Sequence, residues 1–457
     1  MTIALTLLAC ILTVLLGRWM FGRWFNHVGL YGFLWGTTLA LFQSGLMYFY
    51  PLEPETWLVI GAGWAAFVTG AAFIVAARFA AGAPEESSAP TRLPEPMNAS
   101  RILRAVLWIL NVVLAIEAIR HAMIISHLIG GIANFGRVAN ILYNLRIRQE
   151  IPGLIPYLSS ADLAACLLAG VYASRTGRFQ PVWLIPPLLT IVDSVLNMSR
   201  GTMIIGGVLF ATGYVMNERK EALKSLKHGP SKIRRFIAVA LALALFVAGI
   251  DFVRSSRGIV ESYGTATSAL TRLNGEAFIT GSVVFYATGS YGVLNQYLKQ
   301  EDEQGMVGGY TFAPFWRLIA KIGFHTYVEQ SQPFYLTPRA SNNGTYLREL
   351  DVDYGLAGIT AGPFVLGALA SFYWFKTRRS QKLTHMMILG HIYVVVVMSL
   401  FLIATQWGYW LASLLFGLAA AAIIDRFPER TRTEAAPTAG SGSPSPGPGE
   451  STEPMGA

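Results

Sequence analysis

The chain has 457 residues, of which 53% are hydrophobic and only 13% are charged, and its formal net charge is +9. Soluble domains carry about 25% charged residues, so this composition lacks the polar surface of a soluble fold. The basic residues gather in short segments rather than on one aromatic-rich face, which excludes a nucleic-acid-binding domain. Cys10 and Cys166 lie within apolar runs, a placement that predicts neither a disulfide framework nor a thiolate metal site.

Apolar runs of about 18 to 23 residues recur along the chain, the length that a bilayer core demands. They predict an all-α polytopic integral membrane protein with about eleven transmembrane helices. The first run has no basic segment before it and no small-residue cleavage site after it, so we expect a retained helix rather than a signal peptide. The predicted spans lie near residues 1–17, 28–49, 56–77, 103–123, 154–174, 180–198, 202–217, 236–253, 355–375, 384–405 and 408–424.

Four basic segments connect predicted spans 1 and 2, 5 and 6, 7 and 8, and 9 and 10. All four therefore fall on one side of the membrane. Short loops rich in Lys and Arg stay in the cytoplasm. The pattern therefore predicts an N-terminus outside and a C-terminus inside. The basic segments are Arg18–Trp24, Arg175–Arg178, Asn217–Arg235 and Lys376–Lys382.

The predicted spans divide the chain into four parts. Residues 1–253 hold helices 1 to 8, residues 254–354 form one large extracytoplasmic loop, and residues 355–425 hold helices 9 to 11. Residues 426–457 form a Pro/Gly/Ser-rich cytoplasmic tail that we expect to be disordered. Half-apolar stretches of the loop, such as FITGSVVFYATG (Phe278–Gly289), predict short interfacial or re-entrant helices.

Ionisable residues inside predicted spans are costly and therefore informative. Asp193 lies deep in the sixth predicted span, and Arg200 follows seven residues later on the same face of a continuous helix. Glu117, Arg120 and His121 lie in the fourth span at i, i+3 and i+4. Two interpretations stay open for these residues. They form local ion pairs that hold helices together, Asp193 with Arg200 and Glu117 with Arg120 or His121, or they are part of a functional site.

Several arginines lie on the predicted outer side, near the ends of helices. A guanidinium group stays charged and presents two parallel donors, so a cluster of arginines suits a diphosphate. Stabilisation of a helix C-terminus and snorkelling to the interface explain single arginines equally well. The candidates for an anion site are Arg200, Arg254, Arg257, Arg339 and Arg348.

Three stretches of the large loop and the helix after it follow one another in a recognisable order. They are VVFYATGSYGVLNQYL (Val283–Leu298), GGYTFAPFWRLIAKIG (Gly308–Gly323) and NNGTYLRELDVDYGLAG (Asn342–Gly358). This order resembles the bacterial O-antigen and exopolysaccharide repeat-unit polymerases of the Wzy type, with their Y-x-T-G, G-x-x-T-F-x-P and D-[FY]-G-x-x-G stretches. The likeness covers roughly Asp193–Phe375, and the N-terminal third agrees only in hydropathy. The matching positions are Tyr286, Thr288, Gly289, Asn295, Gly308, Thr311, Phe312, Pro314, Asp353, Tyr354, Gly355 and Gly358.

The resemblance implies a glycosyltransferase that joins undecaprenyl-diphosphate-linked oligosaccharide repeat units on the periplasmic face of the bacterial inner membrane. An acceptor hydroxyl would attack the anomeric carbon of the donor, and undecaprenyl diphosphate would leave. No cofactor and no metal are expected, although Asp351–Asp353 formally fits a D-x-D metal motif. The expected partners are the lipid-linked oligosaccharide, the bilayer, a chain-length regulator and a flippase.

Such a reaction needs charge stabilisation for the leaving diphosphate and a general base near the acceptor hydroxyl. The resemblance gives the first role to the five arginines, and the candidate bases are Asp353, Glu349 and His325. Tyr286, Asn295 and Tyr354 are candidates for binding sugar or shaping the loop. A purely structural interpretation of the acids also stands, because we expect a helix to begin near Gly355 and its N-terminal end favours negative charge.

Two other functions fit the same architecture. An O-antigen ligase would share the spans and the arginines but would transfer the glycan to a different acceptor. A lipid-linked oligosaccharide flippase would move the substrate without chemistry, and such transporters often carry paired repeats that we do not find in this sequence.

Overall fold

The computed structural model describes residues 3–82, 97–131, 157–176, 180–216, 267–277, 281–300, 305–323, 332–337 and 339–427, with a few single positions from 134 to 151. The described residues form α-helices almost throughout, with one short hairpin. The helices are α1 (Ile3–Phe21), α2 (His27–Gln43), α3 (Pro54–Ala80), α4 (Met97–Leu128), α5 (Ser160–Thr176), α6 (Pro181–Leu196), α7 (Arg200–Met216), α8 (Ser268–Ala277), α9 (Gly281–Gln300), α10 (Ala313–Lys321), α11 (Tyr346–Tyr354), α12 (Leu356–Ser380), α13 (Leu383–Met398) and α14 (Gly408–Asp425). The strands β1 (Tyr335–Leu336) and β2 (Ala340–Ser341) pair antiparallel, and a 3-10 turn covers Ala404–Gln406.

Five described helices are long and apolar enough to cross a membrane, namely α1, α3, the Arg101–Leu128 part of α4, α12 and α14. The apolar helices α6, α7 and α13 are shorter, with 16 or 17 residues. At 1.5 Å per residue they reach about 24–26 Å, less than the ~30 Å hydrocarbon core. The chain is therefore an all-α membrane protein, as predicted, but the described helices do not support exactly eleven spans. The eighth predicted span, near 236–253, lies outside the described residues.

The helices define two ends of the bundle. At one end α2 and α13 finish while α3 and α12 begin, and the large loop packs there; we call this the site end. Contacts that join elements at this end include Trp35 Nε1 to Ser399 Oγ (2.9 Å) and Glu53 N to Asn295 Oδ1 (2.8 Å). The basic turns Arg18–Trp24 and Lys376–Lys382 connect helices at the opposite end.

Glycines bring two pairs of helices into backbone contact. A Cβ built on Gly70 of α3 would overlap the carbonyl of Phe364, and one on Gly367 of α12 would overlap the carbonyl of Phe67. Gly170 of α5 and Gly213 of α7 are placed in the same way against each other's helix. Without a hydrophobic driving force between helices in lipid, such close approach supplies the packing that holds membrane helices together.

The described residues of the large loop form mostly helices at the site end. Helix α9 docks on α2, where Tyr291 is fully buried and its hydroxyl bonds Thr38 Oγ1 at 2.8 Å and donates to Trp35 O at 3.1 Å. Helix α10 instead leaves Phe315 and Leu318 more than half exposed. The described part of the loop thus includes a helix buried in the bundle, α9, and an amphipathic helix suited to the membrane interface, α10.

A helix begins at Leu356, directly after the acidic stretch, as expected, but the acids themselves also form a short helix, α11. Helix α11 ends at Tyr354, and Gly355 turns the chain with φ +62°, a left-handed conformation that favours glycine. Gly358 then packs directly on the backbone of Leu350, so α11 folds back onto α12. Asp353 therefore lies in the last turn of α11, where the helix dipole does not favour it.

Candidate functional site

Helix α11 is the centre of the candidate site because most of its polar face is buried. Arg348 and Glu349 are 0% exposed and Asp353 is 2% exposed. Backbone and side-chain contacts fix the helix, since Tyr346 N donates to Ser399 O at 3.0 Å and its hydroxyl meets Tyr31 OH at 3.1 Å. A buried cation and two buried carboxyls in one helix need specific partners, because each would otherwise be costly to bury.

Glu349 is surrounded by hydrogen-bond donors. Gln332 Nε2, Ile403 N and Gln406 Nε2 all donate to its carboxyl, the last at 2.8 Å. Burial raises the pKa of Glu349 to about 8, and neighbouring Arg348 and the donors from Ile403 and Gln406 lower it only in part. Loss of hydration therefore outweighs these favourable contacts. A carboxyl with a pKa near neutrality suits proton transfer, although its oxygens already have partners.

Asp353 joins two of the motif stretches that lie about forty residues apart in the sequence. Its Oδ1 accepts from Tyr310 N at 2.8 Å, and its Oδ2 accepts from Thr311 N at 2.7 Å and Thr311 Oγ1 at 2.6 Å. Thr405 Oγ1 donates to Thr311 O at 2.9 Å from the other side. Burial raises the pKa of Asp353 and these donors oppose the rise. The contacts favour a positioning role for Asp353 over that of a free base.

Arg348 lies between aromatic rings. Its Cζ is 5.6 Å from the ring centre of Tyr335 and 5.9 Å from that of Tyr297, within the range of cation–π contacts. A Cβ on Gly344 would come within 2.9 Å of Arg348 Cδ, so the chain closes over the side chain. Because Arg348 is completely buried, it stabilises the site from the protein interior and does not contact a ligand at the surface.

Asp351 and Asp353 do not converge on one point. Asp351 Oδ2 accepts from Tyr297 OH at 2.9 Å, while Asp353 binds residues 310–311. Among the described residues, no three His, Cys, Asp or Glu side chains are grouped as metal ligands.

Arg200 and Arg339 are only partly buried and remain accessible. Arg200 begins α7, its Cζ lies 3.9 Å from the ring centre of Tyr286, and its Nη2 donates to Tyr286 OH. The structure thus joins a predicted anion ligand to a predicted sugar ligand. Arg339 lies in the turn of the β1–β2 hairpin, where its carbonyl accepts from Thr337 N at 2.9 Å.

Asn295 forms hydrogen bonds with residues at the start of α3. Its Oδ1 accepts from Glu53 N at 2.8 Å and Thr56 Oγ1 at 2.7 Å, and its Nδ2 donates to Pro51 O at 3.1 Å. Of the two roles predicted for Asn295, these contacts favour shaping the loop. Tyr354 is 37% exposed, and a Cβ on Gly308 would lie 3.1 Å from its hydroxyl. Arg254, Arg257 and His325 lie outside the described residues, so their predicted roles stay predictions.

The charges inside the bundle pair differently from the sequence expectation. His121 Nδ1 lies 3.1 Å from Asp193 Oδ1, so Asp193 joins α6 to α4. Met198 has a φ of +51° and breaks the helix between Asp193 and Arg200, which removes the common face that we had assumed. Arg120 pairs with Glu117 at 2.8 Å, as one of the two interpretations predicted.

Some site residues carry no motif that we recognised. Gln332 and Gln406 bind Glu349 from two separate segments, and sequence reasoning gave no reason to choose them among the glutamines. Half-buried Arg317 lies in GGYTFAPFWR, directly after a matching stretch, and its position there was the one available signal.

Glu349 gives a prediction for pH dependence. The folded chain holds this proton to a higher pH than the unfolded chain, where the pKa is near 4.5. Its contribution to stability is complete below about pH 4.5 and is lost as the pH rises to about 8, with a slope of up to ~1.4 kcal/mol per pH unit. We expect Glu349→Gln to remove this part of the slope in denaturation curves recorded from pH 5 to 8.

The matched control for this experiment is Glu55→Gln, which removes an exposed carboxylate from α3. It should keep the wild-type slope. Equal slopes in wild type and Glu349→Gln would show that Glu349 does not hold a proton through this range.

Fold and site together define the chain as an all-α membrane protein with a buried, charged centre at one end of its bundle. No family model, no curated protein and no solved structure matches it.

Proposed function

We propose that this protein is a glycan polymerase of the bacterial inner membrane that joins undecaprenyl-diphosphate-linked repeat units on the periplasmic side. One observation carries the proposal. The GGYTF and DVDYG stretches, on which the sequence resemblance rests, meet through the carboxyl of Asp353 and the backbone of Tyr310 and Thr311. Both stretches carry the resemblance, and both contribute to one buried centre. A shared functional site would require this arrangement.

The chemistry assigns roles to the residues of the site end. The acceptor hydroxyl forms a bond to the anomeric carbon as the bond from that carbon to the diphosphate breaks, and the hydroxyl proton passes to a base. Arg200 and Arg339 are accessible enough to stabilise the leaving diphosphate. Arg348 belongs to the buried layer of the same end, and Glu349, whose pKa burial raises to about 8, is the candidate base.

A deletion strain tests the proposal. It would be complemented with wild type, with Arg339→Ala, or with Arg379→Ala, which removes an exposed arginine at the opposite end of the bundle. Surface and lipid-linked glycans would be separated by size. We expect deletion and Arg339→Ala to lose long chains and accumulate single repeat units, while Arg379→Ala behaves as wild type.

The other outcomes identify the other functions. Long chains that accumulate on the lipid would show a ligase. Repeat units trapped on the cytoplasmic side would show a flippase. An unchanged glycan profile on deletion would exclude all three functions.

A transporter is the second candidate because of the charges within the bundle. Glu117 and His121 are both buried on α4, and Asp193 of α6 pairs with His121. Buried ionisable side chains between membrane helices are typical of ion and substrate pathways. The flippase outcome of the same experiment would favour this function.

A further inference from the structure

Two aspartates and a histidine meet where α4, α5 and α6 pack together near the site end. His121 Nδ1 of α4 lies 3.1 Å from Asp193 Oδ1 of α6. Asp162 lies in the first turn of α5 and is 5% exposed. Ionisable side chains buried between membrane helices are costly, so each of these residues needs a partner that compensates its charge.

Asp162 and Asp193 face one another across the contact between α5 and α6. One turn from the site end, Cys166 Sγ of α5 lies 3.2 Å from Thr190 Oγ1 of α6, and the two helices run in opposite directions. On α5, one turn towards the site end leads from Cys166 to Asp162. On α6, one turn in the same direction leads from Thr190 to Asp193. The Thr190 hydroxyl also donates a hydrogen bond to Asp162, whose charged neighbour is Asp193.

His121 brings a second polar nitrogen into this cluster. The residue is 3% exposed, and its Nδ1 contact directs the ring at Asp193. Its other ring nitrogen, Nε2, is buried and has no hydrogen-bond partner in the part of the chain that the structure describes. An imidazole can take up or release a proton at one nitrogen while the other keeps its hydrogen bond. The ring is therefore placed to exchange a proton with Asp193.

The charges of the three residues do not cancel. Two ionised carboxyls carry two negative charges, and a protonated His121 compensates one of them. The N-terminal end of α5 favours a negative charge on Asp162 but supplies only about half an elementary charge. One further proton, held by the two carboxyls together, would neutralise the group, because carboxyls that share a buried site do not readily ionise together.

Other ionisable side chains on the surrounding helices have partners of their own. The contacts are Arg120 with Glu117 on α4, Arg200 of α7 with Tyr286, His391 of α13 with Ser413 of α14, and Asp425 of α14 with the start of α13 at the opposite end. The charge on the two aspartates is therefore left to His121 and to protons.

We propose that Asp162, Asp193 and His121 form a proton-binding site between α4, α5 and α6. The bound proton lies between the two carboxyls and completes the neutralisation that His121 begins. It exchanges through Asp193, whose side chain is 15% exposed in the last turn of α6. The proposal depends on neither glycan polymerisation nor transport, since it concerns the helix bundle alone. Na⁺ could supply the same charge and is the competing ligand.

Infrared difference spectra of the purified full-length protein in detergent test this site, because a protonated carboxyl has a C=O stretching band that a carboxylate lacks. Every sample carries Glu349→Gln, which removes another buried carboxyl that holds a proton near neutrality. The variants added to this background are Asp162→Asn, Asp193→Asn and, as the matched control, Glu117→Gln. Glu117 is also buried, but Arg120 already compensates its charge. Choline chloride replaces sodium chloride.

We expect the background protein to show a protonated-carboxyl band near neutral pH that shifts in D₂O and is lost as the pH rises. Asp162→Asn and Asp193→Asn should each remove most of this band, because a single carboxylate beside protonated His121 forms a neutral pair. Glu117→Gln should keep it.

Four results would overturn the site. They are absence of the band from the background protein, an unchanged band in both Asn variants, an equal loss in Glu117→Gln, and loss of the band when sodium chloride replaces choline chloride, which would show a Na⁺ site instead. Asn matches Asp in size, so we expect both variants to fold. If one does not, the other decides, and the spectrum of the background protein requires neither.

Discussion

Arg348→Ala should lower the free energy of unfolding by about 3–5 kcal/mol, the usual cost of removing one member of a buried charged group. The side chain is fully buried, faces the rings of Tyr297 and Tyr335, and adjoins Glu349. Its loss leaves a cavity and takes away the charge that moderates the pKa of Glu349. Thermal unfolding in detergent and denaturant titration both measure the effect.

Arg339→Ala is the informative comparison. Arg339 lies in the hairpin turn and is partly exposed, so its removal should change stability by no more than about 0.5 kcal/mol. The sequence resemblance gave both arginines one role, charge stabilisation of the leaving diphosphate, and no role in stability. Burial revises that expectation for Arg348 only. Equal stability of the two variants would contradict the buried placement of Arg348.

Gly70→Ala and Gly367→Ala should each destabilise the protein by about 3 kcal/mol or more, the upper range for overpacking. Each added methyl group would overlap a backbone carbonyl of the facing helix, and backbone cannot move aside as a flexible side chain can. Helices α3 and α12 must then separate. The effect is measured by heating each variant in detergent and determining, by size-exclusion chromatography, the fraction that remains folded.

Gly61→Ala provides a matched control on the same helix. Apart from Gly61, its two chain neighbours and the nearby backbone of its own helix, no heavy atom lies within 4 Å of a Cβ built there. The added methyl group therefore enters open space. Helix propensity alone then favours alanine by about 1 kcal/mol. The expected result is a neutral or slightly more stable variant, and a loss equal to that of Gly70→Ala would contradict the proposed crossing.

The sequence was informative wherever a local pattern carried the structure. The apolar runs predicted α1, α3, α4, α12 and α14 within a few residues, because a long hydrophobic stretch is a local property. An Asp193–Arg200 ion pair was one of the two interpretations left open, and the structure instead pairs Asp193 with His121. A seven-residue spacing places two residues on one face only if the helix is continuous, and the turn at Met198 interrupts it.

The long-range partners of Glu349 could not be predicted from the sequence, for a physical reason. Glu349 takes its donors from Gln332, Ile403 and Gln406, which are brought together by the docking of α11 against the turn before α14. No periodic pattern in the sequence predicts contacts between segments that lie so far apart in the chain. The motif stretches did place Asp353 and Thr311 in one site, but not the hydrogen bonds that join them.

The exposed apolar face of α10 is expected to set the depth of the site in the bilayer. This face, with Phe315 and Leu318 exposed, seeks the boundary between acyl chains and headgroups, while Asp353 ties the chain just before α10 to α11. The level of the hydrocarbon boundary is thereby coupled to the position of the buried centre. Lipids with shorter or longer chains shift that boundary at a modest energetic cost per ångström. We therefore expect membrane thickness to affect the position of the buried centre through this nine-residue helix.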